Sequence, residues 1–109
     1  MTGDATANMA EYFLTPAARS DLAEIRAYLS AAPEAIRSRE IDRLEAAFTH
    51  AVRFRFIGRH EPELKRRLGQ TRSLLSGPYR IYYYPESLPL EIIAVIHGKR
   101  DPIAVLKRR

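Results

Sequence analysis

Two sheet-forming runs separated by only five residues constrain this chain more than any other feature. Tyr79 to Tyr84 reads Tyr-Arg-Ile-Tyr-Tyr-Tyr and Leu90 to His97 reads Leu-Glu-Ile-Ile-Ala-Val-Ile-His. Aromatic and β-branched residues in such runs fit a pleated, half-buried surface. The intervening Pro85-Glu86-Ser87-Leu88-Pro89 has the composition of a chain reversal. A third strand is expected from Thr71 to Leu75, joined to the next by Ser76-Gly77-Pro78. The pattern predicts a consecutive antiparallel meander whose ends carry Arg72, Arg80, Lys99 and Arg100.

Ahead of the meander the period changes. Tyr12-Phe13-Leu14 reads as a short strand, and Thr15-Pro16 as a capping threonine followed by proline at the first helical position. Ala18, Leu22, Ile25 and Leu29 then recur at helical spacing, with Asp21 and Glu24 in the early turns, predicting a helix from Pro16 to about Ser30. Ala31-Ala32-Pro33 interrupts it. Ile36, Ile41, Leu44, Phe48 and Val52 mark one face of a second helix, from Glu34 to about Arg55. Two helices with so short a link form an antiparallel hairpin, and each has one apolar face to hide. The fold class expected is therefore α+β: an N-terminal helical hairpin packed on a small, mainly antiparallel sheet of about four strands. Tyr79, Ile81, Tyr83 and the run from Ile92 to Ile96 supply much of the core, and the other sheet face is free to be solvated. Gly58 to Gly69 reads as a connector with a helical turn around Leu64.

A chain of 109 residues fits one domain with a single core, expected over residues 11–109 behind a flexible leader at residues 1–10. That leader lacks the basic and apolar regions of an export signal, and no apolar run approaches the roughly 20 residues that span a bilayer. The absence of cysteine removes disulfides, thiol nucleophiles and thiolate metal sites. A cytoplasmic protein is expected. The net charge of +5 favours a polyanion or an acidic protein surface as partner.

Arg80 alternates with Tyr79 and Ile81, which places it on the face of Tyr82 and Tyr84. There it presents a planar donor fork to phosphate or carboxylate, or pairs with Glu91 or Asp101 at the sheet edge. His97, ahead of Gly98-Lys99-Arg100-Asp101, is placed for proton transfer or phosphate contact, or for a hydrogen bond to Asp101 or the main chain. Whether Arg80 and His97 share a face depends on the register across Pro85 to Pro89. Arg53, Arg55, Arg59, Lys65, Arg66, Arg67 and Arg72 form either an electrostatic track or a solvated face. His50 and His60 lack partners at metal-ligand spacing, Ser73 and Ser76 lack a nucleophile motif, and no metal or cofactor is expected.

Several segments in order resemble the RelE/ParE superfamily of toxins from type II toxin-antitoxin modules, closer to the ParE branch. They are Tyr12 to Ala18, Asp21-Leu22 with Ile25 and Tyr28, Arg72-Ser73-Leu74, Tyr79 to Tyr83, and Val95 to Asp101. The resemblance implies the same α+β fold and a cognate ParD-like antitoxin that binds in a hetero-oligomer. For the ParE branch it implies inhibition of DNA gyrase, with Arg80, Lys99, Arg100, Lys107, Arg108 and Arg109 as target-binding residues and no chemistry of its own. For the RelE branch it implies messenger RNA cleavage on the ribosome, for which Arg72, Arg80 and His97 are the catalytic candidates. A toxin homologue that only binds its partner is the third reading. Two departures stand out: the tail lacks the catalytic tyrosine or histidine of several ribosome-dependent members, and Val52 to Ile57 occupies a stretch where many relatives have a helix end and a proline-containing turn.

Overall fold

The computed structural model describes residues 11–61 and 70–109. Strand β1 (Tyr12–Leu14) leads into helix α1 (Pro16–Leu29), followed by α2 (Glu34–Arg53), β2 (Arg59–His60), β3 (Arg72–Ser76), β4 (Tyr79–Tyr84), β5 (Leu90–His97) and α3 (Pro102–Leu106). The sheet has five strands in the order β1-β5-β4-β3-β2. β1 runs parallel to β5 and all other neighbours are antiparallel. The α+β class is as expected, with one strand more: β2 is a two-residue edge strand of exposed polar residues, which no periodicity reveals. The expected leader at residues 1–10 and the turn around Leu64 lie outside the described residues.

Local chemistry explains the element ends. The Thr15 side chain accepts a hydrogen bond from Ala18 N at 3.1 Å, capping α1, and Thr15 N donates to Ile92 O at 3.1 Å, tying the cap to the sheet. Arg37 Nη1 donates to Ala32 O at 2.6 Å across the link between the helices. Gly77 has φ +59°, which suits the first central position of a two-residue hairpin. Helix α2 ends at Arg53, short of the expected Arg55: Phe54 has left helical geometry, and the Arg55 carbonyl instead accepts from the Tyr83 hydroxyl at 2.9 Å.

The main core lies between helices and sheet. Ala18, Leu22, Ile25 and Leu29 of α1 and Leu44, Phe48 and Ala51 of α2 meet Tyr79, Ile81, Tyr83, Leu90, Ile92 and Val95. The opposite face is not the open surface expected. Tyr82, Tyr84, Ile93, Ala94, Ile96 and Leu106 form a second buried cluster, so α3 turns that face into a smaller core. A bulge makes this possible. Tyr82 pairs with Ala94 but Tyr83 with Ile92, so Ile93 is the extra residue and the alternation of β5 resets there.

Candidate functional site

The register places His97 opposite Tyr79 and Arg80 opposite Ile96. His97 therefore lies on the helix-side face and Arg80 on the other. Arg72 pairs with Tyr83, which puts it on the face of His97 but at the far end of the strands. The three candidates for RNA cleavage are not brought together.

Arg80 makes neither of the expected ion pairs. Its Nη1 donates to Ser73 Oγ at 2.9 Å, and Ser73 Oγ donates to Glu61 Oε2 at 2.6 Å. That carboxylate also accepts from Arg59 Nε at 3.0 Å. Glu61 and Ser73 are buried, and burying a carboxylate this deeply requires such donors. Glu61 did not stand out in the sequence and Ser73 gave no sign of this role, because their significance depends on β2 pairing with β3. Arg72 serves the backbone, donating from Nη1 to Phe56 O at 3.0 Å and Gly58 O at 2.9 Å.

His97 is held by the main chain, as one of its two readings had it. Its Nδ1 accepts from Lys99 N at 3.1 Å, and its ring meets Tyr79 edge-on at 5.5 Å. Asp101 instead caps α3, accepting from Ile103 N at 3.0 Å. His97 lines a groove of about 340 Å³ between α1 and the end of β5, with Glu24, Tyr28, Lys99 and Arg100 around it. Burial pushes the Tyr79 hydroxyl pKa up, with Glu40 adding to it.

The expected target-binding cations divide. Lys99, Arg100, Lys107 and Arg108 are exposed. Arg109 is exposed as a residue too, but its side chain keeps only 18 % exposure and is engaged within the chain. Its Nη1 and Nη2 grip the two oxygens of Asp21 at 2.6 and 2.7 Å, and Nη1 also donates to Ile93 O at 3.0 Å. Asp21 Oδ2 accepts from Val95 N at 2.9 Å as well. β1 pairs with β5 only as far as Ile92, so these side chains satisfy the strand edge that β1 leaves bare. Hydrogen bonding to Asp21 shifts the Arg109 guanidinium further toward its charged form, against the opposing effect of burial. On sequence Asp21 reads only as negative charge in the early turns; its place within the stripe of Ala18, Leu22 and Ile25 is the signal that marks it.

Among the described residues no group of three or more histidine and carboxylate side chains is placed to hold a metal ion. No helix there is long and apolar enough to cross a membrane. The family model described as ParE toxin of type II toxin-antitoxin system, parDE, matches residues 12–102. None of the curated proteins matches the chain.

Proposed function

Because the chain belongs to the ParE toxin family of type II toxin-antitoxin modules, we propose that it inhibits DNA gyrase by binding and that a ParD-like antitoxin neutralises it. The carrying observation is the extent of the match, residues 12–102, which runs from the first strand to the start of α3. The separation of Arg72, Arg80 and His97 supports binding over cleavage, since RNA cleavage needs a base, an acid and cations around one phosphate. Lys99 and Arg100 at the groove, with Lys107 and Arg108 beyond α3, are the cations we assign to target contact. Arg109 contributes by holding the tail against α1. The site of action is the cytoplasm, where gyrase and its DNA are found.

The test is a supercoiling assay with purified gyrase, run beside a translation reaction in which messenger RNA is followed by primer extension. The toxin is expected to block supercoiling, antitoxin to restore it, and Lys99→Glu with Arg100→Glu to weaken the block. Intact supercoiling together with codon-positioned RNA cuts would overturn the gyrase reading in favour of ribosomal cleavage.

A further inference from the structure

Residues 54–57 carry three large apolar side chains in the open: Phe54 is 50 % exposed, Phe56 56 % and Ile57 57 %. The backbone that carries them is braced from several sides. Arg55 Nη1 donates to Pro85 O at 3.1 Å and Ser87 O at 2.7 Å. The Tyr83 hydroxyl bridges the segment from beneath, donating to Arg55 O at 2.9 Å and accepting from Gly58 N at 3.1 Å. Arg72 holds the carbonyls of Phe56 and Gly58. A side chain on Gly58 would collide with the Tyr83 hydroxyl and come within 2.8 Å of Ser73 O, so only glycine lets the loop lie this close. The carbonyls of Arg55, Phe56 and Gly58 are thus taken up within the chain, while Phe54, Phe56 and Ile57 keep half or more of their surface exposed.

The surroundings specify the partner. Arg53 lies over the Phe54 ring at 5.9 Å and Arg72 over the Phe56 ring at 5.4 Å, with His50 against Phe54 at 5.1 Å. Among the described residues neither Arg53, Arg55 nor Arg72 forms an ion pair with a carboxylate. Rigid aromatic side chains beside arginine are the composition of binding hot spots, and cations without internal counter-charge select an acidic surface.

We infer that the Phe54-Phe56-Ile57 ridge is a docking site for an acidic, amphipathic segment of the antitoxin. Aliphatic or aromatic side chains of that segment pack on the two phenylalanines, and its carboxylates pair with Arg53 and Arg72. The inference rests on the toxin-antitoxin reading but not on gyrase being the target, so failure of the supercoiling assay leaves it standing.

The probe is the full-length antitoxin of the same module, titrated against the intact toxin. Phe54→Ser with Phe56→Ser is expected to weaken binding by at least about tenfold with the melting temperature kept. Arg53→Glu is expected to slow association, most visibly at low salt. Hydrogen exchange on the unmutated complex supplies a readout independent of any variant's folding, and residues 53–58 should become protected. Unchanged affinity in the double serine variant, or no added protection at 53–58, overturns the inference. A variant that binds antitoxin normally but no longer blocks the target assigns the ridge to the target and overturns it equally.

Discussion

The α1–β5–Arg109 contact and the ridge at residues 54–57 are opposite exceptions to the rule that apolar groups go inside and charges outside. In the first, Asp21 takes a buried position on an apolar stripe and finds its counter-charge and a backbone donor within the same chain. In the second, Phe54, Phe56 and Ile57 keep half or more of their surface exposed on a loop whose backbone is held by polar contacts to Tyr83 and Arg72 of the sheet. The difference separates an internal device from a surface awaiting a partner. Asp21 and Arg109 complete each other, whereas nothing in the described residues completes the ridge.

The largest effect should come from breaking the internally completed region. Removing one partner of a buried ion pair leaves the other charge uncompensated, at a cost of about 3–5 kcal/mol when the pair is fully enclosed. The Arg109 side chain retains 18 % exposure and Asp21 8 %, so Asp21→Ala and Arg109→Ala are each expected at or below the lower end of that range. Urea denaturation checks this. The double variant should cost clearly less than the sum, because no charge is then stranded; additive losses would show that the two side chains act independently.

Next in size is the loop's foundation. Gly58→Ala must displace the Tyr83 hydroxyl or the backbone at Ser73, and overpacking of this kind costs about 1–3 kcal/mol. If thermal melting shows no loss, the brace beneath the ridge is softer than described.

How much of this was readable follows from which residues speak locally. β4 and β5 begin and end where their composition says, because aromatic and β-branched runs bounded by glycine and proline leave little choice. α1 is equally explicit, from Thr15-Pro16 to the end of its stripe. The bulge was not readable, since Ile92, Ile93, Ala94 and Val95 are all apolar and fit either phase of alternation. The second core was hidden because Tyr82 and Tyr84 are amphipathic and their burial depends on α3 folding back. Arg109 looked like one more exposed cation in a basic tail. Its role is set by Asp21, 88 residues away, and no local pattern carries that distance.

Tyr83 joins the main core to the ridge and supplies a smaller, pH-dependent effect. Tyr83→Phe strips a donor from Arg55 O and an acceptor from Gly58 N, which should cost about 1–2 kcal/mol. Burial raises the pKa of its hydroxyl above 10.0, opposed by the Gly58 hydrogen bond and by Arg72, and burial likewise raises Tyr12 and Tyr79. The folded state thus favours the protonated phenols. That stabilisation is complete below the ordinary tyrosine pKa and is lost as pH rises through the folded values. Melting temperature should fall from about pH 10 upward, and Tyr83→Phe should shallow the fall. An unchanged slope would assign the alkaline loss to Tyr12 and Tyr79.

The smallest expected change is the one that defines the comparison. Replacing an apolar residue on a surface that makes no contacts normally moves stability by no more than about 0.5 kcal/mol. Among the described residues the ring contacts of Phe54 and Phe56 are with His50 and the two arginines laid over them, half or more of each residue stays exposed, and the polar anchors of the loop belong to Arg55, Arg72, Tyr83 and the main chain. Phe54→Ser with Phe56→Ser should therefore leave the denaturation midpoint of the free toxin almost where it was. If the free toxin instead loses stability on the scale of Gly58→Ala, the rings are part of the fold's own packing. The two exceptions would then be alike, each completed from within. If stability holds, the chain keeps two phenylalanines in water at no benefit to its own folding, and the reason for them lies in what binds there.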